Sequence, residues 1–423
     1  MTVDVTVRGI AAGGSGVADL PDGRVVFVPR TAPGDHASVR IERSKARWAT
    51  GSLHRILEPS PERREPPCVL YDVCGGCQLQ HLPYARQLEW KARFVKDALV
   101  RIGGLDVADT PPIHLSPREL HYRNRVSFTL RRLGKGRVVA GFHALDRPGR
   151  IVDVRSECLL PVPRLLDAWV AIRRGWGDGA RLLPRGERLR LTVREESGGV
   201  MLVVEGGSAP WDAEPLLRTA APHVAAIWHR PDERAGAVRL AAGSPDVGSP
   251  AFAQVNADVA EAMAGRVLAL ADAAAGAAAG PGRAVVDAYS GSGRYARRLH
   301  GAGWKVTAIE LDGSACDAAR KASGDAYPVL EGRVEDLLPG ALPADLLVVN
   351  PPRAGLGAEV VGAILHDPPE RLVYVSCDPA TLARDAAALA RAFELQSVEC
   401  FDLFPQTAHV ETVCALGRVE RMR

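Results

Sequence analysis

Four short runs of buried-type residues in the C-terminal half constrain the fold more than any other feature of this sequence. Ala284-Val-Val-Asp287, Lys305-Val-Thr-Ala-Ile-Glu310, Asp345-Leu-Leu-Val-Val-Asn350 and Arg371-Leu-Val-Tyr-Val-Ser376 are dominated by apolar residues, and helix-length segments rich in Ala, Arg and Leu separate them. A strand that is apolar on both faces must be covered on both, and strands that alternate with helices pair in parallel. The region 244–423 therefore reads as an α/β domain with a mostly parallel sheet, Rossmann-like in outline. Ligands of such sheets sit beyond the carboxyl ends of the strands, so the residues that follow each run are the candidates for a site.

The remainder reads as β-rich, and a chain of 423 residues has room for two to four domains. Short Val-rich runs at Asp4–Arg8, Arg24–Pro29 and Ala37–Glu42 alternate with Gly and Pro turns, the pattern of a small OB-like β-barrel over 1–58. The proline-rich stretch Glu58–Pro67 marks a boundary, because it cannot hold regular structure. Residues 59–243 form a central β-rich domain, with strands expected at Val126–Arg131, Arg137–Phe142, Leu189–Arg194 and Val200–Glu205. Within it, Pro83–Ile102 repeats apolar residues at helical spacing and stops at Gly103-Gly104, a helix available to pack on the α/β domain. The alanine-rich run 271–279 reads as the end of a helix followed by a linker.

With 53 basic and 50 acidic residues the net charge is only +3, so any nucleic-acid contact has to come from local patches. One such patch is Arg118, Arg123, Arg125, Arg131, Arg132, Lys135 and Arg137, opposed only by Glu119. No basic-then-apolar leader and no uninterrupted membrane-length run is present, so a cytoplasmic chain with no membrane partner is expected. In that compartment eight cysteines argue for metal binding or catalysis rather than disulfides. Cys68, Cys74 and Cys77 crowd around Gly75-Gly76, with Cys158 as the natural fourth ligand. Four thiolates suit zinc and an iron-sulfur cluster alike.

The strand ends hold the remaining chemistry. Asp287-Ala-Tyr289-Ser-Gly291-Ser-Gly293 can turn tightly and approach a ligand closely, and Glu310 is placed to bind ribose hydroxyls. Asn350-Pro-Pro-Arg353 ends the third run. Cys377 ends the fourth, just before a helix start set by Asp378-Pro379, where the helix dipole should lower a thiol pKa and make a nucleophile. The loop Phe401–Glu411 adds His409 and Glu411, either of which could act as a general base.

Taken together, Asn350-Pro-Pro-Arg-x-Gly355, Leu372-Val-Tyr-x-Ser-Cys377 with Thr381, and the Phe401–Glu411 loop resemble the uracil-5 RNA methyltransferase family. The cysteine spacing resembles its iron-sulfur subgroup, and the N-terminal segment is similar to a TRAM domain. The resemblance implies an S-adenosylmethionine-dependent enzyme in which Cys377 adds to C6 of a uracil and Glu411 later removes the C5 proton. It also implies cofactor contacts by Gln254 (within Phe252–Asn256), Tyr289, Gly291, Gly293, Glu310, Asp336 and Asn350, and a [4Fe-4S] cluster on Cys68, Cys74, Cys77 and Cys158. RNA is the implied partner, ribosomal RNA before transfer RNA, and the enzyme is expected to act as a monomer.

The chain departs from the family pattern at Asn350, where Asp is usual, and at Arg294 and Asp378, where Asn is frequent. Asn350-Pro-Pro also resembles the motif of N-methyltransferases, but there an aromatic residue follows the prolines, and Cys377 would have no role. A non-catalytic RNA-binding protein is a further alternative, against which the intact Cys377 and Glu411 count.

Overall fold

The computed structural model describes residues 2–196, 198–232, 237–243, 254–275 and 282–419. Phe252 and Ala253 of the Phe252–Asn256 motif and the end of the alanine-rich run lie outside the described residues. The chain divides into two compact units, Met1–Gln87 with Arg118–Pro250 and Pro405–Ala408, and Leu88–Pro117 with Ala251–Phe404 and His409–Arg423.

The chain begins with β1 (Thr2–Ile10), β2 (Gly16–Asp19), β3 (Val25–Val28), β4 (His36–Ser44) and β5 (Trp48–Glu58), which close into a barrel in the order β1-β2-β3-β5-β4. Alternation along these strands turns Val5, Val7, Val26, Val28, Val39 and Ala49 into one apolar core. Helix α1 (Tyr84–Arg101) and the short β6 (Ile113–His114) come next. They precede β7 (Arg125–Gly134), β8 (Arg137–His143), β9 (Ile151–Asp153), α2 (Pro163–Gly175), β10 (Arg188–Glu196), β11 (Gly199–Glu205), α3 (Glu214–Ala220), β12 (Ala226–Arg230) and β13 (Val238–Ala242).

Strands β7 to β13 form one sheet in the order β13-β12-β11-β10-β7-β8-β9. The four strands expected there are present, each within a few residues of its sequence bounds. The helix α2 was not expected, although Pro163 at its first turn and buried Leu165, Ala168, Trp169 and Ile172 give it a helical stripe. Trp169 packs against Phe128 and donates from its indole to the Val154 carbonyl at 2.9 Å.

The second unit continues with α4 (Ala257–Ala275), β14 (Ala284–Ala288), α5 (Arg294–Gly301), β15 (Lys305–Glu310), α6 (Gly313–Ser323), β16 (Val329–Glu331) and α7 (Val334–Ala341). It ends with β17 (Leu346–Val349), α8 (Ala358–His366), β18 (Arg371–Ser376), α9 (Pro379–Leu389), β19 (Phe393–Phe401) and β20 (Glu411–Arg418). Its sheet runs β16-β15-β14-β17-β18-β20-β19-β6, with β14 to β18 parallel and β20 antiparallel to both neighbours. Apolar clusters cover both faces, one holding Val259, Met263 and Leu299, the other Val95, Leu99, Val360 and Leu382. The α1 helix thus packs its apolar face on this sheet. None of the described helices is long and apolar enough to cross a membrane.

Candidate active site and cysteine centre

The parallel strands deliver their site residues side by side. After β14 the chain turns through Tyr289, Gly291 and Gly293, all at positive φ, and enters α5. A β-carbon on Gly293 would lie 3.0 Å from the Tyr327 hydroxyl, so this position is tied to glycine by both its dihedral and its neighbour. Glu310, at the end of β15, accepts the Gly291 N–H on one carboxylate oxygen and those of Leu311 and Asp312 on the other, each at 2.8 Å. The carboxylate is thereby fixed beside the glycine turn with lone pairs to spare for hydroxyl donors.

Asp287 is fully buried and accepts the Ala296 N–H at 2.8 Å. Its Oδ1 has no hydrogen-bond partner, and burial pushes the carboxyl up to about 7. Of the other expected cofactor residues, Asn350 follows β17, its N–H bonded to the Ala288 carbonyl at 3.2 Å, and Gln254 lies half-buried just before α4. Asp336 is exposed on the first turn of α7. Burial raises the Tyr289 hydroxyl, and the half-buried neighbour of Asp336, Glu335, which the sequence did not single out, raises it further together with Asp385, while Arg333 opposes them.

Cys377 follows β18 directly, and Asp378 caps α9 by accepting the Thr381 N–H at 2.9 Å, with Pro379 at the first turn. The residue after Glu411 pairs with Ser376 across β18 and β20, and the Thr412 hydroxyl bonds the Ser376 carbonyl at 3.2 Å. The nucleophile and base candidates thus come together through one antiparallel pairing. Electrostatics tie them as well. Burial pushes the Cys377 thiol up, Glu411 pushes it further, and the Arg353 guanidinium opposes both. The thiol is thus raised, in the direction opposite to the lowering expected from the helix start, with desolvation the largest cause at this half-buried side chain. Burial also raises Glu411 to about 8, again against Arg353.

Arg353 belongs to a loop clamped from α9. Thr381 donates to the Arg353 carbonyl at 3.0 Å and Arg384 to the Ala354 carbonyl at 2.7 Å. The buried Asp385 accepts from Leu356 N–H at 2.8 Å and from the Tyr374 hydroxyl at 2.7 Å. Gly355, at φ 79°, leaves no room for a side chain there, since its β-carbon would lie 2.3 Å from Asp385. The Asn-Pro-Pro-Arg-x-Gly motif is therefore a rigid arm that presents a cation to Cys377 and Glu411. His409, the other base candidate, is exposed, its ring edge-on to Phe404.

All four predicted cysteine ligands line one cavity, together with Leu70, Tyr71, Phe142 and Leu160 among others. Burial pushes Cys77 up to about 11 and Cys158 to about 12, with Arg123 pulling both down. No three His, Cys, Asp or Glu side chains among the described residues come close enough together to hold a single metal ion. The loop bearing Cys68 to Cys77 also grips the barrel. Arg30, at φ 69°, donates to the carbonyls of Cys77 at 2.6 Å and of Tyr71 and Cys74 at 2.7 Å. Its guanidinium stacks 3.5 Å above the Tyr71 ring.

The basic patch divides into two kinds of arginine. Arg132 spends its guanidinium on the Gly179 and Ala180 carbonyls, and Arg123 bonds the Tyr122 hydroxyl at 3.2 Å beside the cysteines. Both are structural, which sequence alternation alone could not show. On the strand face, Arg131 pairs in register with Arg188, and Arg190 follows on the same side of β10. These three are exposed, so β10 supplies a part of the basic face that the sequence reading missed.

Comparison with known proteins agrees with this architecture. Residues 1–54 match the TRAM domain family, and residues 333–419 match the tRNA (uracil-5-)-methyltransferase family. An RNA methyltransferase of Gloeobacter violaceus is 36% identical over 99% of this chain and 96% of its own length. One from Synechocystis is 33% identical over 99% and 96%. The fold matches that of the Pyrococcus abyssi tRNA (uracil-54, C5)-methyltransferase, solved with S-adenosyl-L-homocysteine, with a TM-score of 0.72 at 24% identity, over 98% of this chain and 99% of that one. With full-length relatives of one kind, this chain belongs to the RNA methyltransferases, and it carries a segment similar to the TRAM domain family at one end and one similar to the tRNA (uracil-5-)-methyltransferase family at the other.

Proposed function

We propose that this enzyme methylates C5 of a uridine in RNA through a covalent adduct on Cys377. The observation that carries the reading is the meeting of Cys377 and Glu411 at the end of β18 and β20, under the charge of Arg353. The glycine turn at Gly291 and Gly293 and the Glu310 carboxylate would hold S-adenosylmethionine, which would supply the methyl group. The Cys377 thiolate adds to C6, which places the electron pair of the 5,6 double bond on C5 and lets C5 take the methyl. Glu411 then accepts the C5 proton, the C–H pair restores the double bond, and the thiolate leaves. Arg353 favours the anionic form of both groups and so offsets part of the rise that burial imposes on each. RNA containing 5-fluorouridine tests this, because fluorine cannot leave as a proton. A methylated covalent adduct is expected, and it should vanish in Cys377→Ala. An undiminished adduct in that variant would place the nucleophile elsewhere.

The proposed target is 23S ribosomal RNA, which follows from the resemblance of the cysteine loop to the iron-sulfur subgroup. Transfer RNA is the second reading, favoured by the name of the family matched at residues 333–419. Mass spectrometry of 5-methyluridine in both RNAs from a deletion strain decides between them. The protein is proposed to work in the cytoplasm as a monomer.

Cys68, Cys74, Cys77 and Cys158 are proposed to hold a [4Fe-4S] cluster. They line one cavity together, and four thiol donors are the ligand set that such a cluster takes. The role assigned to it is structural. An ordered loop keeps the carbonyls that hold Arg30, and with it the RNA-binding barrel, in place.

A further inference from the structure

The α1 helix carries a lysine on its apolar face. Lys91 lies one turn from Leu88 and from Val95 on that stripe and is fully buried. Its ammonium donates to Asp402 Oδ1 at 2.5 Å and to the Phe404 carbonyl at 3.0 Å. Asp402 is equally buried, and its second oxygen has no hydrogen-bond partner. A buried ion pair of this kind contributes little net stability, since well-packed apolar residues commonly do as well or better. What it does provide is a fixed geometry, and the place fixed here matters.

Asp402 directly follows Phe401, and Phe401 is paired with Glu411 across β19 and β20. From the other side β6 braces the same point. The Asp402 N–H bonds the His114 carbonyl at 2.9 Å, and the His114 ring stacks on Phe401 at 4.4 Å. Lys91 thus holds the first three residues of the loop that leads to Glu411, whereas Cys377 stands one strand further away on β18, where Asp378 and the start of α9 fix it from the other side.

We propose that Lys91, through Asp402, is a positioning residue for Glu411, and that it serves the proton-removal step and not the attack by Cys377. This rests on the reading of Glu411 as the base. In that step the carboxylate takes the C5 proton, the C5–H electron pair forms the 5,6 double bond, and the Cys377 thiolate is expelled. A shift of about 1 Å in such a group costs on the order of a hundredfold in rate.

The test is the double variant Lys91→Met/Asp402→Asn, which removes both charges and leaves no buried ion unpaired. With 5-fluorouridine RNA, which needs only the attack and the methyl transfer, its adduct should form within about twofold of the wild-type rate. With ordinary uridine RNA, kcat should fall about 10- to 100-fold and KM with it, so that kcat/KM, which attack and methyl transfer set, stays within about twofold of wild type. A methylated protein–RNA adduct should accumulate, visible on denaturing gels. Wild-type turnover without accumulation overturns the proposal, and so does a parallel loss of attack and turnover, which would mark the pair as general scaffolding. Should the double variant not fold, Asp402→Asn alone is read by the same two assays with the same criteria. If the wild-type enzyme itself forms no fluorouridine adduct, the covalent mechanism fails and this proposal fails with it, a result distinct from failure in the variant alone.

Discussion

Replacing Glu411 by Gln should stabilise the protein in a pH-dependent way while stopping turnover. The folded state holds this carboxyl at about 8 against an ordinary value of 4.5, because burial disfavours its charge. A pKa raised on folding means that the folded state binds the proton more tightly than the unfolded chain. The stability this gives is complete below pH 4.5 and is lost as pH rises towards 8, because the unfolded chain ionises first. Each pH unit inside that window costs about 1.4 kcal/mol, so the wild type should lose about 3 kcal/mol between pH 5 and 7.5 from this group alone. Gln keeps the shape and the hydrogen-bonding capacity and has no proton to release. The difference in unfolding free energy, variant minus wild type, should therefore grow by about 3 kcal/mol over that range. Urea unfolding of both proteins at matched pH measures it, and Asp287, which also titrates there, cancels in the difference. Parallel stability profiles would mean that Glu411 is solvated and ordinary, and the argument for a raised, base-strength carboxyl would fall.

Other outcomes follow from the same geometry. Single-turnover release of methylated RNA should rise with pH through 8 and beyond, since Cys377 is raised above its ordinary 9.0 and Glu411 to about 8 and both must ionise, and a rate flat from pH 6 to 8 would contradict the shifts. Arg353→Met should move that profile to higher pH, because it removes the cation that opposes both shifts; an unmoved profile would show that the guanidinium does not act on them. Anaerobically purified protein should contain about four irons per chain and Cys158→Ser should lose them, whereas stoichiometric zinc would overturn the cluster. Ala at Arg131, Arg188 and Arg190 together should flatten the salt dependence of RNA binding by up to about three phosphate contacts; an unchanged slope would place the RNA path elsewhere.

Much of this architecture was legible in the sequence wherever the signal was local. Strands β15 and β18 begin and end at the residues their apolar runs predicted, because a buried parallel strand leaves no polar alternation to blur its ends. Cys377 and Glu411 could be named from motifs, but their adjacency depends on β20 pairing antiparallel to β18, a contact between segments more than thirty residues apart. The direction of the Cys377 shift was misjudged for the same reason. The helix start is visible in Asp378-Pro379, whereas the burial that raises the thiol comes from the rest of the sheet. Charged residues show the limit most clearly. Arg131 faces solvent while Arg123 and Arg132 are drawn inward onto the Tyr122 hydroxyl and the carbonyls of Gly179 and Ala180, though all three sit in one basic stretch. Lys91, a charged residue within an amphipathic helix, is wholly buried against Asp402. A charge in a sequence states only what must be neutralised or solvated, and the chain elsewhere decides which. Arg353, exposed yet acting on both Cys377 and Glu411, and Lys91, buried behind the loop, are accordingly the residues to which the structure adds chemistry.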